Sequence, residues 1–111
     1  MIEIRVIDHV PAPGGRYIKD GPYSGQWFRE EILRPALQEA REKGEAVRVL
    51  LDGAPGYGSS FLEEAFGGAV RKGYVQARDD LVVESRSPLY ETYARLAQRY
   101  LKQAKRQPVA A

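Results

Sequence analysis

The feature that most constrains the fold is the run Ala46-Val47-Arg48-Val49-Leu50-Leu51, closed by Asp52. Its residues carry one charge, and the run is too short for a buried helix. It suits a central strand covered on both faces. Gly53-Ala54-Pro55-Gly56-Tyr57-Gly58 then reads as a loop. From Phe61 to Lys72 the pattern is helical, and Gly73 ends it as a residue that takes the left-handed conformation cheaply. A buried strand feeding a helix through a glycine-rich loop is the unit of an α/β domain.

The rest of the chain extends that unit. Ile2, Ile4 and Val6 alternate with Glu3 and Arg5, a half-buried strand ending near Asp8. Arg16-Tyr17-Ile18-Lys19 reads as a short second strand. Ser24 is the N-cap of a helix whose apolar positions are Phe28, Ile32, Leu37 and Ala40, with Gly44 as its stop. Pro35 lies inside this helix, so the spacing predicts a kink near residues 31–34 or two short segments. Leu81-Val82-Val83-Glu84 is the last strand, and Ser87-Pro88 opens a third helix. The expectation is an α/β domain over residues 1–106, ordered β-β-α-β-α-β-α. Its sheet is mixed, of about four strands. Residues 107–111 are expected to form a disordered tail.

In such a sheet, sites are expected at the carboxyl ends of the strands, which is where the 53–61 loop falls. Three chemistries compete for it. Gly53 and Gly58 have the spacing of a phosphate-binding P-loop, but Ser59 stands where lysine is required. A helix N-terminus can still hold a small anion through its unpaired N–H groups. A serine nucleophile needs a base, and the only imidazole in the chain is His9, in a proline-rich stretch. The structural reading is that Ser60 and Glu63 form a capping box worth about 1 kcal/mol. Gly56 and Gly58 would then supply positive φ. Gly67-Gly68, inside the helix, costs about 1 kcal/mol per residue relative to Ala. Either tight packing or a smooth docking surface could offset that. Phe61, Leu62, Ala65, Phe66, Ala69 and Val70 make an apolar face wider than a surface helix needs.

Composition closes off other classes. With no cysteine there is no disulfide framework and no thiolate metal site, and a reducing cytoplasm is the compartment expected. No apolar run approaches the length of a membrane span. Net charge is +2, and the basic residues Arg95, Arg99, Lys102, Lys105 and Arg106 read as a solvated helix face. No nucleic-acid motif accompanies them.

The run RVLLDGAPGYGSSFLEEAFGGAVRKG, together with GRYIKDGPYSGQWFREEILRPAL upstream, closely resembles the STAS-like domain family of unknown function, over residues 14 to 104. That family is similar to the STAS domains of anti-sigma-factor antagonists and sulfate transporters. In the antagonists, a strand ending in Leu-Asp leads to Asp-Ser-Ser-Gly at the start of a helix. A partner kinase, built like a histidine-kinase ATPase, phosphorylates the first serine. The resemblance implies a non-enzymatic regulatory module, without cofactor or metal, that binds a protein partner through the 53–61 loop and the second helix. Asp52 matches the strand-end aspartate, Ser59 the phosphoacceptor, and Ser60 the second serine. Gly56, Tyr57, Gly58 and Phe61 complete the implied partner- or anion-binding loop. The chain departs from the antagonist pattern at Gly58, where the acid would stand, and at Phe61, where the glycine would stand. The alternative function is a small-anion or nucleotide-binding module at the same helix N-terminus.

Overall fold

The computed structural model describes residues 1–108. Three short strands, β1 (Ile2–Arg5), β2 (Val47–Leu50) and β3 (Leu81–Glu84), form one sheet in the order β1-β2-β3. Both pairings are parallel, with Ile4 opposite Val49 and Val49 opposite Val83. The helices are α1 (residues 25–43), α2 (residues 59–71) and α3 (Glu91–Gln103).

The expected mixed, four-stranded sheet is therefore corrected to three parallel strands. Residues 16–19 form no strand; a single 3-10 turn spans Ile18–Asp20. Side chains hold this backbone. The Tyr17 N–H donates to the Asp20 carboxylate at 3.1 Å, and the Ile18 N–H to Gln26 Oε1 at 3.0 Å. Amides committed in this way cannot join a ladder. The segment instead caps α1: the carbonyls of Gly15 and Arg16 accept the N–H groups of Gly25 and Gln26, each at 3.0 Å. Ser24 Oγ accepts the Trp27 N–H at 3.0 Å, as expected of an N-cap.

Ile4, Val47, Val49, Leu81 and Val83 pack with residues of all three helices in one apolar core. The opposite face carries Glu3, Arg5, Arg48 and Glu84, which are exposed or half-buried. Arg48, the single charge in β2, lies between Glu3 at 3.9 Å and Glu84 at 3.6 Å. The strand expected to be covered on both faces is thus covered by helices on one.

Near Pro35, α1 divides into two α-helical segments, the second of the two outcomes the spacing predicts. The α-helical segments Gly25–Phe28 and Arg34–Lys43 are joined by a π-helical turn, Arg29–Leu33, in which the Arg34 N–H reaches back to the Arg29 carbonyl. Widening the helix there makes room for a residue that has no N–H and crowds the preceding turn. Gly44 (φ 67°) and Gly73 (φ 79°) stop the first two helices in the left-handed region, as expected. Residues 109–111 of the expected tail lie outside the described residues; the Gln107 N–H donates to the Arg71 carbonyl at 3.0 Å.

Candidate functional site

The crossovers β1-α1-β2 and β2-α2-β3, with the β3-α3 connection, bring all three helix N-termini to the carboxyl edge of the sheet. The 51–58 loop lies on this edge and is fastened at three points. Asp52 accepts the Arg86 N–H at 2.9 Å and the Ser87 N–H at 2.8 Å, tying the end of β2 to the start of the β3-α3 connection. Burial opposes ionisation of Asp52, but these amides outweigh it and lower its pKa. The Tyr90 hydroxyl donates to the Ala54 carbonyl at 2.6 Å, and the Tyr57 hydroxyl to the Leu51 carbonyl at 2.7 Å.

Tyr57 is buried, with its ring centroid 5.4 Å from that of Tyr93 and 5.9 Å from that of Phe61. Burial, then the nearby Tyr90 and Asp52, push its phenol pKa well up, so it stays a protonated donor. Phe61 is fully buried. Neither aromatic is placed to touch a partner; both anchor the loop. Gly58 and Pro55 are exposed and Gly56 is half-buried. The positive φ of this loop is at Gly53 (98°), whereas Gly58 is extended with φ −75°. Glycine is therefore required for its dihedral at position 53, not at 56 or 58.

The capping box expected at Ser60 is absent. Helix α2 starts at Ser59, with Gly58 as the cap residue and no side-chain cap. Glu63 does not reach back, because Arg16 holds it at 2.7 Å and Arg71 at 2.5 Å. Ser59 and Ser60 are thus the first two helical residues, both exposed. No hydrogen bond from either side chain exists among the described residues. These hydroxyls are free for chemistry that the fold does not itself use.

Behind this turn lies a charge cluster that the sequence reading did not foresee. Helix α2 has its own π-helical turn, Glu63–Gly67, in which the Gly68 N–H reaches the Glu63 carbonyl. It faces the π turn of α1. Arg29, only 3% exposed, spans the gap to the Glu64 carboxylate, and its Nη1 also donates to the Glu64 carbonyl at 3.0 Å. Its Nε pairs with Glu30 at 2.8 Å. The hydrogen bond from Arg71 holds the Glu63 pKa down, against burial and with help from Arg16. At Glu30, burial opposes ionisation, but Arg29 and the Tyr74 hydroxyl outweigh it and lower the pKa.

The Gly67-Gly68 pair belongs to this cluster. A Cβ at Gly68 would stand 2.5 Å from Arg29 Nη1, and one at Gly67 would meet the Glu63 carboxylate. Of the two explanations for the pair, tight packing on the neighbouring helix holds at Gly68, whereas Gly67 is flanked by side chains of α2 itself. Most of the wide apolar face is also absorbed: Phe61, Leu62, Ala65, Phe66 and Ala69 are fully buried, and Val70 is half-buried. The carboxyl edge leaves open a 53–60 rim made of Gly53, Pro55, Gly58, Ser59 and Ser60, together with Leu89, which is 83% exposed in the β3-α3 connection.

Among the described residues, no three His, Cys, Asp or Glu side chains gather as metal ligands, and no helix is long and apolar enough to cross a membrane. No curated protein and no solved structure matches the chain. The family model of the STAS-like domain of unknown function (DUF4325) matches residues 24–89, from the cap of α1 to Leu89. That span contains β2, the fastened loop, the serine turn and Arg29 with both of its carboxylates, so the chain belongs to the STAS-like domain family of unknown function.

Proposed function

We propose that this domain is a non-enzymatic regulatory module of the cytoplasm. It binds a protein partner at the carboxyl edge, through the 53–60 rim and Leu89, and phosphorylation of Ser59 releases that partner. The observation that carries this reading is the serine turn: Ser59 is exposed, starts α2, and contributes no cap to the fold. The loop before it is held rigid from beneath by Tyr57 and Asp52. Leu89 adds an exposed apolar side chain to the surface offered to the partner.

By its resemblance to anti-sigma-factor antagonists, the partner is a histidine-kinase-like ATPase. A phosphate on Ser59 adds about −1.5 to −2 charges. The partial positive charge of the α2 N-terminus favours it, so the fold tolerates the modification. A partner packed on the rim instead meets a new charge and its desolvation cost.

The test is to incubate the domain with ATP and a kinase of that class encoded beside it, and to map phosphate by mass spectrometry. Calorimetry then compares kinase binding by wild type, Ser59→Asp and Leu89→Ser. Phosphate on Ser59, with binding weakened in both variants, supports the reading. No phosphate, with unchanged binding by both, removes it. If the domain alone saturates with phosphate or a nucleotide, and Ser59→Ala abolishes this, the anion-binding alternative replaces the partner reading.

A further inference from the structure

Strand β1 is an edge strand, paired only with β2. The Ile2 N–H donates to the Ala46 carbonyl at 2.9 Å, which fixes the parity of the strand. The backbone groups of Ile2 and Ile4 face β2, and those of Glu3 and Arg5 face outward. No backbone hydrogen bond outside the ladder engages the Glu3 amide or carbonyl among the described residues. Both side chains are exposed. Arg5 forms no salt bridge among the described residues, while Glu3 meets Arg86 at 3.1 Å.

Edge strands are usually guarded by charge, because like charges repel an incoming strand. Here the guard is reversed about its centre: Ile2-Glu3-Ile4-Arg5-Val6 is symmetric in hydropathy and antisymmetric in charge around Ile4.

We propose that β1 pairs antiparallel with β1 of a second copy of this chain, across a twofold axis through Ile4, giving one continuous sheet of both copies. In that register Glu3 lies opposite Arg5 of the second copy, and Arg5 opposite its Glu3. Each such pair is a hydrogen-bonded one, which requires outward backbone groups at both positions, and both positions have them. The Arg5 carbonyl also opens the 3-10 turn at Val6–Asp8, and its second lone pair takes the amide of the second copy's Glu3. Both charged pairs stand on the face free of helices, and both are attractive. A two-residue slip sets Glu3 against Glu3 or Arg5 against Arg5. A one-residue slip breaks the backbone phase. One register alone satisfies charge and backbone, and the contact is isologous, so assembly closes at a dimer. This surface is separate from the carboxyl edge, and its test is independent of the serine reading.

The experiment is sedimentation of the full chain across a concentration series, with circular dichroism confirming that each variant is folded. Wild type is expected to dimerise. Glu3→Arg and Arg5→Glu, each alone, are expected to weaken the dimer by at least about tenfold, because two attractive pairs become repulsive. An equimolar mixture of the two variants is expected to recover a heterodimer, since an all-basic strand then faces an all-acidic one. A cysteine-free chain also allows a register test: Glu3→Cys mixed with Arg5→Cys should oxidise to a cross-linked heterodimer faster than either forms a homodimer. A monomeric wild type at millimolar concentration overturns the proposal. So does a dimer indifferent to both charge reversals, or a mixture that stays monomeric.

Discussion

The Nη1 of Arg29 lies 2.5 Å from where a Cβ on Gly68 would stand, so a buried guanidinium on one helix occupies the side-chain space of the other. Three glycines at this helix pair differ in what surrounds them, and alanine should rank them. At Gly25 the Cβ would sit 2.5 Å from the Phe61 carbonyl, which is backbone and cannot swing away. Gly25→Ala should cost about 3 kcal/mol or more. At Gly68 the obstacle is a side chain, but one held by Glu64 and Glu30. There, about 1–3 kcal/mol of overpacking exceeds the gain of about 1 in helix propensity. At Gly67 the half-exposed Glu63–Arg71 pair can turn outward, so Gly67→Ala should stay within about 1 kcal/mol of wild type. Urea unfolding of the three variants checks the order.

The two cap serines should separate as sharply. Ser24→Ala removes a buried Oγ that accepts the Trp27 N–H, and should cost about 1–2 kcal/mol. Ser60→Ala removes no cap and should change stability by less than about 0.5 kcal/mol. Ser59→Asp should leave stability within about 1 kcal/mol, because its charge lies at the favourable end of α2. A large loss at Ser60 would restore the capping box that the sequence suggested.

Tyr57 should behave as an anchor. Tyr57→Phe forfeits the bond to the Leu51 carbonyl and leaves that acceptor buried, a cost of about 1–3 kcal/mol. Tyr57→Ala adds a cavity beneath the loop and should cost about 3–5 kcal/mol. Amide hydrogen exchange should show residues 53–58 loosened in both variants.

Acid should destabilise the domain through named carboxylates. Glu30, Glu63 and Asp52 all have folded-state pKa values lowered from the ordinary values, 4.5 for glutamate and 3.8 for aspartate. A lowered folded pKa contributes stability that is fully present above the unfolded value and is lost as pH falls through the folded one. Thermal melting should therefore be flat in these terms from neutral pH to about 5, then fall below it. Glu63→Gln should flatten the acid limb. An unchanged limb in that variant would exclude the Arg16–Glu63–Arg71 cluster as its source.

Local signals determined much of this protein. The apolar run at Val47 found the central strand, Ser24 found the start of α1, Ser87 found the 3-10 turn Pro88–Tyr90 that leads into α3, and Gly44 and Gly73 found the stops. Each signal acts within one turn of backbone, through a dihedral or a nearby amide, and so can be read without the rest of the chain. The family, too, was legible in two runs of sequence. Other features depended on partners distant along the chain. Residues 16–19 had the pattern of a strand, but Gln26 and Asp20 claimed their amides. Ser60 and Glu63 had the spacing of a capping box, but Arg16, 47 residues away, claimed the carboxylate. The wide apolar face of α2 read as a possible interface until α1, α3 and the sheet closed over it. Gly67-Gly68 announced a close approach without naming what approached. Only packing the two π turns together showed that it was Arg29, because burying this guanidinium requires the Glu64 carboxylate and the empty space at Gly68, both on the facing helix, beside Glu30 on its own.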